Sequence, residues 1–201
     1  MRKSKLVGLT TLAVSAITGL EASARCAETA FASSDAAAAY AKAEHLVRSG
    51  ARSFESLMAL APMKEMELNC YERGTMHLLE SAIHAGDKDT PAAADSLALA
   101  IEADFMGKST RMKSLLRLAG LYMSFDKDKA LTTYETYMQA GGWPPAEDEL
   151  LIAMLYRDKG QYDLAFERAE SAHREATNPQ LKTRASEMMN GIRQMQLMLG
   201  E

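Results

Sequence analysis

The residues with the widest chemical reach in this chain are two cysteines, four histidines and a Gly-Lys-Ser-Thr run. Gly107-Lys108-Ser109-Thr110 resembles the end of a phosphate-cradling loop. Such a loop can wrap a phosphate in backbone N–H groups only with a glycine five positions earlier, and Glu102 stands there. No strand pattern precedes it, so the run reads as a polar loop between helices. His77 and His84 lie two helical turns apart, which puts them on one face but too far apart to ligate one metal as a four-spaced pair does. His45 and His173 stand alone. Asp87-Lys88-Asp89 and Asp126-Lys127-Asp128 lack the glycine and terminal glutamate of a calcium loop and read as polar turns. No serine sits in a Gly-x-Ser-x-Gly elbow, and no motif places a histidine beside either cysteine. No catalytic residue, cofactor or metal is implied. Cys26 and Cys70 are open to two readings: a disulfide in an oxidising compartment, or a small apolar filler on a helix (Cys70) with Cys26 in a flexible leader.

The elements that carry these residues are helical. The chain has 201 residues, 47% hydrophobic and 25% charged, with only 6% aromatic, and Ala, Leu and Met dominate over β-branched runs. Residues 1–24 read as a secretory signal: Arg2, Lys3 and Lys5, then apolar Leu6 to Leu20, then Ala22-Ser23-Ala24 as a cleavage site. Export would place the protein in the periplasm. The alternative is an uncleaved segment anchoring it to the inner membrane, the only way a membrane enters. Cleavage leaves a chain two units more negative than the −4 of the whole, without the basic footprint that nucleic acid requires.

Residues 25–33 are expected to form a flexible leader and 34–201 one helical domain. Ser34 can cap a helix that Gly50 stops, and a helix from Ser53 should end at Ala61, before Pro62. Further helices are expected at Met63–Ala85, Pro91–Asp104, Thr110–Phe125, Lys127–Ala140, Ala146–Lys159 and Tyr162–Thr177, with Thr90-Pro91 and Asn178-Pro179 as starts. Short loops force antiparallel neighbours.

A repeat runs through these helices. Ile152-Ala153-x-x-Tyr156 is followed by a turn and by Ala165, Ala169 and Ala172; Leu118-Ala119-x-x-Tyr122 by Ala130, Tyr134 and Tyr137; Leu78-Leu79-x-x-Ala82 by Ala94, Ala98 and Ile101. Small residues on one helix let its partner's backbone approach closely. With a period near 34 residues, the pattern resembles the tetratricopeptide repeat. That resemblance implies an all-α fold, a right-handed superhelix of hairpins spanning about 66–104, 110–140 and 146–177, closed by a C-terminal helix at 179–199.

The C-terminal helix carries a seam of Leu181, Ala185, Met188, Ile192, Met195 and Leu199. It serves either to cap the last hairpin or, as a coiled coil through 181–199, to make a homodimer. Leu68-Asn69-Cys70-Tyr71-Glu72, Leu118-Ala119-Gly120-Leu121-Tyr122 and Gly141-Gly142-Trp143-Pro144 with Leu151-Ile152-Ala153-Met154-Leu155-Tyr156 resemble the tetratricopeptide proteins that accompany TonB energy-transduction systems. That implies a periplasmic accessory to TonB, ExbB and ExbD.

In such repeats the first helix of each hairpin lines a concave surface that binds a partner. The positions are Arg73, Met76 and Glu80; Lys113, Leu116 and Arg117; Glu147, Leu150, Met154 and Arg157. The mixture suits an amphipathic peptide or helix better than an acidic chain end. Tyr122, Tyr134, Tyr137, Tyr156 and Trp143 are expected to be structural, Trp143 by anchoring its linker. The function expected is therefore a non-catalytic protein-binding adaptor. Its rivals are a structural homo-oligomer built through the last helix, and an envelope enzyme whose site no local motif discloses.

Overall fold

The computed structural model describes residues 25–200; the signal expected at 1–24 lies outside the described residues. Among these residues every regular element is an α-helix: α1 Ser34–Arg48, α2 Ser53–Lys64, α3 Cys70–Gly86, α4 Thr90–Glu102, α5 Lys108–Tyr122, α6 Lys127–Gln139, α7 Ala146–Asp158, α8 Tyr162–Glu175 and α9 Pro179–Leu199. No described helix is long and apolar enough to cross a membrane.

Side-chain oxygens that satisfy free amides set where several helices begin. Ser33, one residue earlier than expected, accepts from the Ala36 N–H, and Asp89 rather than Thr90 accepts from Ala92. Asp126 and Asn178 do the same for α6 and α9. At α3, Asn69 accepts from the Glu72 N–H while the Glu72 carboxylate accepts from the Asn69 N–H, a reciprocal capping box. This box corrects the helix expected from Met63: Met63 belongs to α2, and 65–69 form the link. Pro62 does not stop α2: it forfeits one hydrogen bond, to the Met58 carbonyl, in the last turn of the helix, and the fully buried Met63 beyond it is drawn into the core.

Consecutive helices pack against each other, most extensively α1 on α2, α3 on α4, α5 on α6, α7 on α8 and α8 on α9, with α4 bridging to α5. The small residues of the repeat are where these pairs touch: Ala94, Ala130, Ala165, Ala169 and Ala172 are fully buried. The Ser81 hydroxyl donates to the Ala93 carbonyl at 2.8 Å, holding α3 close to α4. One large core runs from Ala94 to Ile192 and a second joins α1, α2 and α3 around Leu60 and Met63. Tyr122, Tyr134, Tyr137 and Tyr156 are buried, as expected.

The leader expected to be flexible is docked. Cys26 and Cys70 are joined in a disulfide with Cα atoms 5.7 Å apart. The Ala32 and Ser33 N–H groups both donate to the Glu72 carboxylate at 2.8 Å, and Phe31 packs between Tyr40 and Tyr71, its ring centroid 5.3 and 5.7 Å from theirs. Burial would raise the Glu72 pKa, but the Ser33, Asn69 and Ala32 amides outweigh it and hold the carboxyl below its ordinary range. Residues 26–33 are thus a strap laid over the start of α3. Glu28 also reaches the two sulfurs, but both are spent in the disulfide, so this cluster has no thiolate to offer a metal.

Candidate functional site

The ten side chains expected on one concave surface do not share one. On α3, Arg73 is exposed, but Met76 is only 4% exposed and packs into the core with Leu60 and Met63. Glu80 is buried too, 2.7 Å from the Lys64 amine and 2.9 Å from His77 Nδ1. Burial alone would push its carboxyl up, yet the His77 and Lys64 contacts outweigh this and hold it below its ordinary range. The reason for the misplacement is the α1–α2 pair, which covers the face of α3 that the repeat pattern alone would leave open. Met76 and Glu80 are therefore structural.

The α7 positions fare differently. Leu150, Met154 and Arg157 line one cleft of about 350 Å³ between α7 and α9, faced by Met188, Gly191 and Met195. Its volume lies at the lower end of ligand-sized pockets. Gly191 has no heavy atom within 4 Å of where a Cβ would stand, so its missing side chain leaves the cleft open rather than permitting a close contact. Arg157 donates to Asp158 at 2.8 Å and reaches the Met188 sulfur at 3.6 Å, which keeps its guanidinium at the mouth. Glu147 is exposed on the first turn of α7 and does not line the cleft.

Three polar ties fix α7 in place. The buried Tyr134 donates to Asp148 at 2.8 Å and Tyr156 donates to Glu135 at 3.0 Å. Burial and the Glu135 carboxylate push the Tyr156 phenol up to about 12. Glu149 is fully buried, with both oxygens 3.5 Å from the Arg168 guanidinium and one 3.3 Å from the Ser171 hydroxyl. Burial outweighs these long contacts, so the Glu149 carboxyl sits above its ordinary range.

On α5, Leu116 and Lys113 line a second, separate depression of about 530 Å³ with Met112, Tyr137 and Trp143, and Arg117 is exposed one position further along. The structure corrects the expectation for Trp143. Its side chain is 63% exposed, and the linker is anchored instead by the buried Pro144 and by Tyr137, whose hydroxyl donates to the Trp143 carbonyl at 3.2 Å. Glycines flank the tryptophan on one side and prolines on the other, so its immediate neighbours carry no bulky side chain to cover the indole; that was the signal available in the sequence.

The seam of α9 is turned inward. Leu181, Ala185 and Ile192 are buried against α7 and α8, and Met188 packs beside them, whereas the tip (Leu197, Met198 and Leu199) is exposed. No family model matches the chain, and no curated protein or solved structure matches it.

Proposed function

We propose that the protein is a non-catalytic adaptor of tetratricopeptide type. In this reading its hairpins form a right-handed superhelix closed by α9, and it works in the periplasm by holding a segment of another protein, in company with a TonB, ExbB and ExbD type transport system. The observation that carries the reading is the α7–α9 cleft. Leu150, Met154 and Arg157, chosen as partner-facing from the repeat pattern, converge there with Met188 and Met195. Thioether side chains repack at little cost around a guest side chain, and a cation at the mouth suits an amphipathic peptide or helix. A disulfide in place supports an oxidising compartment.

The test is in-cell photocrosslinking from Met154, with Glu170 on the exposed side of α8 as control. Arg168 does not serve as a control, because it is turned onto Glu149. Capture of one defined envelope protein from Met154 alone is the expected result. Equal labelling from both positions, or none, overturns the reading.

A second reading, self-association through the last helix, draws on the α9 tip, where Leu197 and Met198 are each 78% exposed. Charge at Met188 or Ile192 would break the packing of α9 itself and so could not test it. Sedimentation of the wild type against Leu197→Glu/Met198→Glu does: a dimer lost in the variant supports it, and a wild-type monomer removes it.

A further inference from the structure

Among the described residues α5 is the most one-sidedly charged helix. Lys108, Arg111, Lys113 and Arg117 lie along it with no acidic residue, in a protein whose net charge is −4. Arg111 is spoken for, donating at 2.9 Å to Asp104 and to the Ile101 carbonyl. Among the described residues Lys108, Lys113 and Arg117 enter no ion pair, and all three are exposed. Met112 and Leu116, four residues apart on one helical face, lie between Lys108 and Lys113, and Arg117 points further round the helix.

Opposite that face stands the linker between α6 and α7, built so as to present Trp143. Gly141 takes φ +84°, a conformation L side chains rarely adopt, and turns the chain. Gly142 then lies flat on its neighbours: a Cβ there would stand 2.5 Å from the Met112 methyl, with the Tyr137 ring as close. Pro144 is buried and the Tyr137 hydroxyl holds the Trp143 carbonyl. The backbone is thereby fixed while the indole is left 63% exposed, an apolar surface that the fold does not cover. Tryptophan is among the residues enriched at the hot spots of protein interfaces.

We propose that this trough is a docking site for an acidic segment of another protein. A bulky apolar side chain of the guest seats between Met112, Leu116 and Trp143, and its carboxylates meet Lys108 and Lys113. Charge complementarity chooses the guest: two cations without an ion pair among the described residues, Lys108 and Lys113, line the trough. An anionic bilayer would meet the same cations, but the apolar surface here is a depression of about 530 Å³ rather than a protruding face. This site lies on other helices than the α7–α9 cleft, so the two readings fail separately: crosslinks from Met154 test the first and leave the second untouched.

Trp143 is the only tryptophan of the chain, so its fluorescence reports on this site alone. The full exported protein is titrated with a synthetic amphipathic peptide of about twelve residues containing Glu, Leu and one central Phe. Two counterparts carry Gln or Lys in place of every Glu, and vesicles of phosphatidylglycerol are titrated in parallel. The expected result is a saturable blue shift with the Glu peptide only, weakened by salt, and reduced by tenfold or more in apparent affinity in Lys108→Glu/Lys113→Glu with helicity unchanged. A silent Trp143 with the Glu peptide, an equal response to the Gln or Lys peptide, or a blue shift with the vesicles overturns the proposal.

Discussion

At the scale of single residues, two helical glycines, Gly74 on α3 and Gly120 on α5, have opposite stakes. A Cβ on Gly74 would stand 2.1 Å from Cδ1 of Phe105, a ring that also meets Tyr71 edge-on at 5.8 Å. Gly74→Ala must therefore displace an aromatic ring and should lower stability by about 1–3 kcal/mol in urea unfolding. Gly120, inside α5, has no heavy atom within 4 Å of its would-be Cβ, and Gly120→Ala should raise stability by about 0.5–1 kcal/mol. Glu149 supplies a pH signature. Its folded pKa is raised, chiefly by burial, so the folded state takes up the proton more readily than the unfolded chain. The associated stability is fully present below the ordinary value of 4.5 and is lost as pH rises through the folded pKa. Glu149→Gln should accordingly exceed the wild type most at neutral pH. The gap should shrink as pH falls towards 4.5, as read from urea midpoints across that range.

Among the elements, the strap over residues 26–33 depends on one carboxylate. Glu72 accepts from the Ala32, Ser33 and Asn69 amides at once, at 2.8, 2.8 and 3.0 Å. Glu72→Ala orphans three donors and should cost about 3 kcal/mol, with amide exchange at Ala32 and Ser33 accelerating more than that at the centre of α7. The strap also shows where sequence reading reached its limit. Helix starts at Asn178 and Asp126, the alanine contacts of α4, α6 and α8, and the buried tyrosines are local properties, written in caps and in spacing. Glu72 looks like an ordinary first-turn acid, and nothing near it in the chain says that residues forty positions away will donate to it. Met76 and Glu80 failed as surface positions for the same reason: the α1–α2 pair that covers them is specified by its own apolar residues, not by the repeat. Trp143 was misplaced because burial of a linker side chain is decided by the helices on either side of it. Leu150, Met154 and Arg157 converge on one cleft because α9, which faces α7 there, carries a seam legible in its own spacing.

On the scale of the whole molecule, the two depressions sit on different helices and differ in character. One is a methionine-lined cleft closed on one side by α9, the other an open trough bordered by cations. On the proposed readings, a protein with both would hold two segments of one partner or one segment of each of two. The disulfide closes a loop whose ends are 44 residues apart and which contains all of α1 and α2. By chain entropy alone, removing it as Cys26→Ser/Cys70→Ser should cost up to about 4 kcal/mol, measurable by urea unfolding against the oxidised wild type. The same loop sets the route of mechanical load. Tension applied at Arg25 passes through the sulfur bridge straight to the first turn of α3, and the α1–α2 pair hangs from that line as slack cargo. A protein pulled from this end would keep the first hairpin unstressed while the later ones yield. In an optical trap, reduction should lengthen the fully extended chain by about 150 Å, the reach of the 44 residues released.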